Sequence, residues 1–245
     1  MKKEQLEYAA ARYGTPLYLF DLDILKKQAD RLRNALGKET GLCYAMKANP
    51  FLTKHMEEKA DRIEVCSMGE FEICRSLEIP PEKLFISGVL KKKEDIYRIL
   101  ETYGEKCRYT VESVRQLHYF LEWSDTHMKT LRLYPRLTNG SQFGMDEDTM
   151  RSIVSIVNMS PYLEIEGIHY FSGTQKRHTR QFRQEIEMLD RFLIKIRDEW
   201  NVRVRHLEYG PGTAVPYFHG KEAETYTDEG LGKLREAIRS MEWDG

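Results

Sequence analysis

The stretch GLCYAMKANPFLTKHMEEKADRIEVCSMGEFEICRSLEIPPEKLFISG, residues 41–88, decides the fold. It contains three short apolar runs, and a segment in which apolar residues keep helical spacing lies between each run and the next. Short apolar runs that alternate with helices are typical of parallel strands covered by helices on their faces. The stretch therefore predicts a series of βα units.

The same alternation continues along the rest of the chain. The predicted strands are residues 41–49, 62–67, 84–88, 107–113, 130–137, 165–173 and 204–210, and the predicted helices are residues 51–60, 69–78, 91–103, 114–124, 146–158, 179–200 and 228–241. A strand over residues 16–20 and a helix capped by Asp21 are expected before the first unit.

Seven βα units in 245 residues favour a TIM-type (β/α)8 barrel, whose typical length is about 250 residues. The other architecture for such a pattern is a doubly wound sheet, but its G-x-G-x-x-G fingerprint does not follow the first strand. We predict one barrel domain over residues 1–245, with residues 1–36 leading into it. No eighth strand follows the seventh helix, so the predicted barrel is truncated.

The composition excludes several classes of function. Lys and Arg number 38 against 39 Asp and Glu, which gives a net charge of −1 and no basic surface for nucleic acid. No window approaches the roughly 18 apolar residues of a membrane helix, and the N-terminus lacks the apolar core of a signal peptide. The four cysteines lack zinc-site spacing, so we expect no metal and a cytoplasmic protein with reduced thiols.

Residues that can carry chemistry follow the predicted strands, where the active sites of such barrels lie. Lys47 ends the first strand; its amine either reaches solvent or serves as a Schiff-base lysine. Ser67 either only caps the next helix or also lines a site. The glycine-containing turns after Gly173 and Gly210 are either ordinary turns or a phosphate site.

Eight motifs in the expected order carry a resemblance to one family. They are YGTPLYLFD (13–21), CYAMKANP (43–50), EVCSMGEFE (64–72), IPPEKLFISGVLKKKEDI (79–96), LRLYP (131–135), SQFGM (141–145), GIHYFSGTQ (167–175) and LEYGPGTAVPY (207–217). Together they resemble the fold-type III decarboxylases that depend on pyridoxal 5'-phosphate (PLP). This family includes diaminopimelate and ornithine decarboxylases and is related to alanine racemase.

The resemblance implies a role for each matching residue. Lys47 would form the Schiff base with PLP, and Tyr44 and Asn49 would flank it. Arg132 would approach the phenolic oxygen of the cofactor. The remaining cofactor-binding residues that the resemblance implies are Thr174, Gly210 and Gly212 at the phosphate, Ser67 and Glu70 in the wall of the second strand, and His169 on the pocket strand.

The chain departs from the family pattern at four positions. Phe171 replaces the histidine that stacks on the pyridine ring, and Pro211 removes one N–H donor from the phosphate turn. Gln142 replaces a lysine, and Glu64 stands where aspartate is usual. The family's E-P-G-R segment, whose carboxylate pairs with the pyridine nitrogen, and its C-terminal β-domain are absent from the sequence.

These observations predict a PLP-dependent amino acid decarboxylase whose activity is impaired in this chain. A PLP-binding protein without catalysis and an amino acid racemase are the alternatives. The expected partners are a small amino acid substrate and a second copy in a homodimer, or a missing C-terminal segment. Arg136, His169 and Arg177 are candidate contacts for a carboxylate or an amine of the substrate, although for Arg177 a surface position is the stronger expectation.

Overall fold

A computed structural model describes residues 2–88, 91–218 and 223–244 of the chain. The strands are β1 (Cys43–Ala45), β2 (Arg62–Val65), β3 (Leu84–Ile86), β4 (Arg108–Val111), β5 (Leu131–Leu137), β6 (Leu163–Ile165), β7 (Gly167–Phe171) and β8 (His206–Gly210). The α-helices are α1 (Lys3–Tyr13), α2 (Leu22–Leu36), α3 (Thr53–Glu57), α4 (Met68–Ser76), α5 (Lys93–Tyr103), α6 (Val114–His127), α7 (Glu147–Met159), α8 (Arg180–Trp200) and α9 (Asp228–Arg239).

The strands form one parallel sheet in the order β1-β2-β3-β4-β5-β7-β8, and β6 pairs beside the first half of β5. This order follows the chain, as in a TIM-type barrel, and the helices cover the outer face. The prediction of a parallel (β/α) barrel is therefore confirmed. Among the described residues, no backbone hydrogen bond joins β8 to β1, so the ring of strands has a gap between these two edges.

Strand β4 shows how the core is divided. Tyr109 and Val111 are fully buried and belong to the large apolar cluster between sheet and helices. Because side chains alternate along a strand, Arg108 and Thr110 point to the opposite face, inside the barrel. The interior of the barrel thus carries polar groups, while the apolar core lies outside it.

The helix layer continues across the gap in the sheet. Helix α2 packs against α9, and Arg31 of α2 lies 2.5 Å from a carboxylate oxygen of Asp228 and 5.0 Å from the centroid of the Tyr226 ring. Beneath this contact, strand β1 is half-buried, and β8 is half-buried or exposed, whereas β3 is buried throughout. The two edge strands are therefore partly open to solvent.

The N-terminal region differs from the prediction. Residues 16–20 form no strand, because no neighbouring strand pairs with them, and Tyr18 is 93% exposed. Helix α1 was not predicted, since its sequence is highly charged and buries only Ala9. The helix after Asp21 is confirmed, because the Asp21 carboxylate accepts hydrogen bonds from two amides of the first turn of α2.

Candidate active site at the carboxyl ends of the strands

Lys47 lies in a short 3-10 turn, Met46–Ala48, directly after β1. The amide of Asn49 donates a hydrogen bond to the Met46 carbonyl at 3.0 Å. The Tyr44 hydroxyl donates to the Asn49 carbonyl at 2.7 Å, and its ring packs against apolar residues of the helix layer. Tyr44 therefore supports the turn that carries Lys47, and its hydroxyl is bonded to the backbone of that turn.

The Lys47 amine is half-exposed and pairs with groups on β2 and just beyond it. Its Nζ lies 3.2 Å from Oε2 of Glu64 and 3.6 Å from Sγ of Cys66. Burial is the largest single influence and lowers the pKa of Lys47, but Glu64 and Cys66 together outweigh it, so the pKa is raised above its usual value. Because only the neutral amine attacks a carbonyl, Lys47 must first lose a proton.

His169 lies buried in β7 beside the same carboxylate. Burial, with the charges of Arg136, Lys91 and Lys47, outweighs the attraction of Glu64 and lowers the pKa of His169 to about 3. Its imidazole is therefore neutral at physiological pH. The Nδ1 atom is buried and has no hydrogen-bond partner among the described residues.

A buried ion cluster lies near His169. Oε2 of Glu112 accepts a hydrogen bond from Arg136 at 2.8 Å, and its Oε1 lies 4.0 Å from the Lys91 amine. Lys91 also donates to the Thr110 hydroxyl at 2.8 Å. Polar residues alternate with apolar ones in RYTVE (108–112) and RLYPR (132–136), and this pattern indicates the inward face. Of the residues in the ion cluster, only Arg136 was among the candidates predicted from the sequence.

Ser67 is the N-cap of α4. Its hydroxyl accepts a hydrogen bond from the Glu70 amide at 3.3 Å, and the Glu70 carboxylate accepts one from the Cys66 amide at 2.6 Å. This is the arrangement of a capping box shifted by one residue. It fixes the backbone around Cys66, and through it the thiol that faces Lys47.

The turns after β7 and β8 lie against each other. The Ser172 amide donates to the Gly210 carbonyl at 3.1 Å. A Cβ at Gly212, whose φ is +66°, would come within 2.1 Å of the Gly173 carbonyl and 3.3 Å of the Thr174 amide. A Cβ at Gly210 would come within 2.5 Å of the Phe171 ring. The structure thus brings Phe171, Thr174 and both glycines together.

Arg132 lies away from Lys47 and from the turns after β7 and β8. It is the second residue of β5, whereas Lys47 follows the carboxyl end of β1, and its guanidinium is 3.9 Å from Glu166. Glu166 also accepts hydrogen bonds from Arg108 and Tyr134, so Arg132 belongs to a network around the amino-terminal ends of the strands. The structure does not bring it to the Lys47 amine, and Arg136 is the arginine near the carboxyl end of β5.

Residues 22–243 match the model of a family described as pyridoxal-dependent decarboxylase, pyridoxal binding domain. The chain belongs to this family. Its cofactor is pyridoxal phosphate, which that domain binds. Within the described part of the chain, no group of three or more His, Cys, Asp or Glu side chains is placed to hold a metal ion, and no helix is long and apolar enough to cross a membrane.

Individual relatives are distant in sequence. The chain is 27% identical to an L-glutamyl-(BtrI acyl-carrier protein) decarboxylase of Niallia circulans, over 91% of this chain and 56% of that protein. It is 25% identical to diaminopimelate decarboxylase of Methanocaldococcus jannaschii, over 89% and 55%. The crystal structure of the latter enzyme has a TM-score of 0.83 and covers 96% of this chain and 58% of that one.

A lysine/ornithine decarboxylase from Vibrio vulnificus, solved with putrescine, has a TM-score of 0.81 at 22% identity and covers 97% of this chain and 63% of that chain. The chain thus spans little more than half the length of the curated relatives that it matches. At this level of identity the solved structures establish the shared barrel fold.

The residues at the carboxyl ends of the strands, which form the mouth of the barrel, fit the cofactor. Lys47 offers an amine that solvent reaches, and the paired turns at Thr174 and Gly212 have no room for a side chain at Gly212. His169 and Phe171 are two residues apart on β7 and so share one face. The buried, unpartnered Nδ1 of His169 is a further polar atom that a bound group can satisfy.

Proposed function

We propose that this chain binds PLP through Lys47 and takes part in the decarboxylation of an amino acid. The observation that carries the proposal is the position of the Lys47 amine, which is half-exposed at the barrel mouth and 3.2 Å from Glu64. When bound, PLP would take up the electron pair that remains on the α-carbon of the substrate after CO2 leaves. The protein supplies binding, orientation and electrostatics.

The roles of the other residues follow from their contacts. Glu64 holds the protonated Lys47 amine in place through their ion pair. The Thr174 and Gly212 backbone would hold the phosphate, and the Phe171 ring, which packs against Gly210, would lie beside the pyridine ring. Unlike a histidine, this phenyl ring cannot donate or accept a proton.

We further propose that the chain alone decarboxylates slowly. The edge strands β1 and β8 beside the gap are only partly buried, and water weakens the electrostatic interactions of an active site. The same observation favours a second candidate function, PLP binding without turnover. Robust release of CO2 from any amino acid by the purified chain would contradict both the slow decarboxylation and the second function.

The cofactor assignment is tested by replacing Lys47. Lys47→Ala should abolish the visible absorbance that PLP acquires when it is joined to a lysine, and Lys47→Arg should abolish it while keeping the ion pair with Glu64. Lys54→Ala, an exposed lysine of α3 paired with Glu57, is the matched control and should leave the absorbance unchanged. Persistence of the band in both Lys47 variants would refute the assignment.

The rate of PLP capture gives a second readout. The pKa of Lys47 is raised because Glu64 and Cys66 together outweigh burial, so the neutral amine is scarce at neutral pH. The capture rate should therefore rise about tenfold per pH unit between pH 7 and 9. A rate that is independent of pH in this range would show that another group reacts.

A further inference from the structure

A cleft of about 560 Å³ runs between helices α2 and α9. Every described residue that lines it belongs to one of these two helices, so the cleft is separate from the site around Lys47 and from the turns after β7 and β8. Small-molecule sites typically occupy about 300–1,000 Å³. Apart from Ala35 and Gly232, each lining residue carries a charge or an amide group, so a ligand of this cleft should be charged.

The cleft has a surplus of positive charge. Its two carboxylates are both paired, since Asp30 lies 2.7 Å from the amine of a lysine outside the cleft and Asp228 lies 2.5 Å from Arg31. The remaining charges of the lining are those of Lys27 and Arg235. Among the described residues, Lys27 forms no ion pair and no hydrogen bond through its side chain. The surplus favours an anion.

Arg235 has unused hydrogen-bonding capacity. Its Nε atom is buried and has no hydrogen-bond partner in the part of the chain that the structure describes. Its charge acts on the Glu39 carboxylate, but that carboxylate accepts its hydrogen bonds from Arg239, both at 3.2 Å. A buried donor without an acceptor is costly, so an acceptor that enters the cleft would stabilise this side chain.

Gly232 leaves the cleft open at its centre. It lies inside α9, where glycine lowers the stability of a helix relative to alanine. A Cβ at this position would meet no atom within 4 Å, so close packing does not require a glycine here. The missing side chain instead leaves room for a ligand along this part of the helix.

The two cations without a carboxylate partner lie toward opposite ends of the cleft. The helices run parallel, because Arg31 contacts Asp228 at the start of α9, and a Cβ at Gly37, after the end of α2, would come within 3.4 Å of Cδ of Arg235. Lys27 precedes Gly37 by almost three helical turns, or about 15 Å along the axis. A ligand that reaches both cations should therefore be elongated and carry negative charge along its length.

We propose that the cleft between α2 and α9 binds a chain of phosphate groups, either as inorganic polyphosphate or as the tail of a nucleoside triphosphate. Each phosphate unit carries negative charge and offers several acceptor oxygens, which suits an arginine fork and a lysine amine. A single small anion would reach only one end of the cleft. This site is independent of the proposed function, which assigns the cofactor phosphate to Thr174 and Gly212.

Calorimetry on the full chain with inorganic tripolyphosphate tests the proposal. Arg235→Met should weaken binding about tenfold and Lys27→Met about threefold, because each removes charge-assisted hydrogen bonds. Gly232→Leu changes no charge but fills the cleft, and it should also weaken binding about tenfold. Lys129→Met, at an exposed lysine between α6 and β5, is the matched control for charge and should leave binding unchanged.

Comparison with ATP identifies the source of the phosphate chain. Tighter binding of tripolyphosphate than of ATP would indicate inorganic polyphosphate, tighter binding of ATP would indicate a nucleotide, and both results support the site. Lys47→Ala should bind tripolyphosphate like the parent chain, so the cofactor assignment and this proposal can fail separately.

Four results would overturn the proposal. They are no binding of tripolyphosphate to the parent chain, equal binding of succinate, an equal loss of affinity in Lys129→Met, and unchanged affinity in both Arg235→Met and Gly232→Leu. Thermal unfolding of each variant without ligand shows whether it remains folded, and Lys27→Met, at an exposed position of α2, keeps the test available if either of the other two variants does not fold.

Discussion

The two sides of the barrel hold similar ion pairs in different surroundings. On the β4–β5 side, Glu112 pairs with Arg136 and its side chain is 1% exposed. On the β8–β1 side, Glu208 of β8 pairs with Arg62 of β2 at 3.3 Å and is 21% exposed. The first pair lies in a complete sheet and the second beside the gap. We therefore expect the loss of a carboxylate to cost more stability on the β4–β5 side than beside the gap.

The largest expected effect is on the free energy of unfolding, when one apolar side chain is shortened on the β4–β5 side and one on the β8–β1 side. Leu133 of β5 is 0% exposed in the core cluster, whereas Leu207 of β8 is half-buried against its edge. Leu133→Ala should lower the free energy of unfolding by about 3–4 kcal/mol because a cavity forms, and Leu207→Ala by about 1 kcal/mol. Urea unfolding measures both. Equal losses would show that the β8 edge is packed as firmly as the centre of the sheet.

The second contrast replaces the carboxylates of the two ion pairs. Glu112→Gln should cost roughly 3 kcal/mol, because it leaves the buried Arg136 and Lys91 without their anion. Burial raises the pKa of Glu208 despite the nearby Arg62, so a neutral group is better tolerated there. Glu208→Gln should therefore cost less than about 1 kcal/mol. Chemical denaturation at pH 7 measures the loss of stability in both variants. A larger loss for Glu208→Gln than for Glu112→Gln would contradict the comparison.

The fold was predictable because its strands are short apolar runs at regular intervals. All seven predicted barrel strands lie in the sheet, since each is too apolar to remain outside it. The strand predicted over residues 16–20 does not form, because a strand needs a partner and local sequence does not reveal whether one is present. Strand β6 was missed because residues 163–165 run directly into β7 and read as part of the same apolar segment.

The position of a site residue was predictable from the sequence where a motif identifies that residue. It was less predictable where only contacts in the folded chain show which residues lie near Lys47. Lys47 stands out as a lysine at the end of an apolar strand, and its neighbour Glu64 was noted only as a substitution. Arg132 and Arg136 share the inward face of β5, and sequence alone does not show which of them lies near the mouth. The structure separates them by their partners, Glu166 for the former and Glu112 for the latter.

His169 should make stability depend on pH. Burial is the main cause that lowers its pKa to about 3, against about 6.5 in an unfolded chain. Between these values the unfolded chain binds the extra proton, so stability is full above pH 6.5 and falls as the pH drops toward 3. At roughly 1.4 kcal/mol per pH unit, the contribution lost between pH 6.5 and 5 is about 2 kcal/mol.

His169→Gln should flatten this dependence by the same amount, and His55→Gln, at an exposed site on α3, is the control. Urea unfolding at pH 5, 6 and 7 compares the three proteins. An identical slope for the parent chain and His169→Gln would show that the imidazole is not buried, and it would weaken the distinction between the enclosed side and the open side of the barrel.

The smallest expected effect lies at an exposed ion cluster near the amino-terminal end of β8. The Asp244 carboxylate accepts hydrogen bonds from Arg197 at 3.2 Å and from Arg203 at 3.0 Å, and all three side chains are at least one-third exposed. Exposed pairs contribute roughly 0–1 kcal/mol because water and salt screen them. Asp244→Asn should therefore cost less than about 0.5 kcal/mol, and 0.5 M salt should remove the difference.

Glu199→Gln, in the exposed pair with Arg151 between α7 and α8, is the matched change away from the gap. If the two variants lose equal stability, the residues before β8 behave as an ordinary surface. A loss of more than about 1 kcal/mol for Asp244→Asn alone, measured by thermal unfolding, would mean that this contact restrains the β8 edge. The openness of that edge would then depend on the contact as well as on the missing strand pairing.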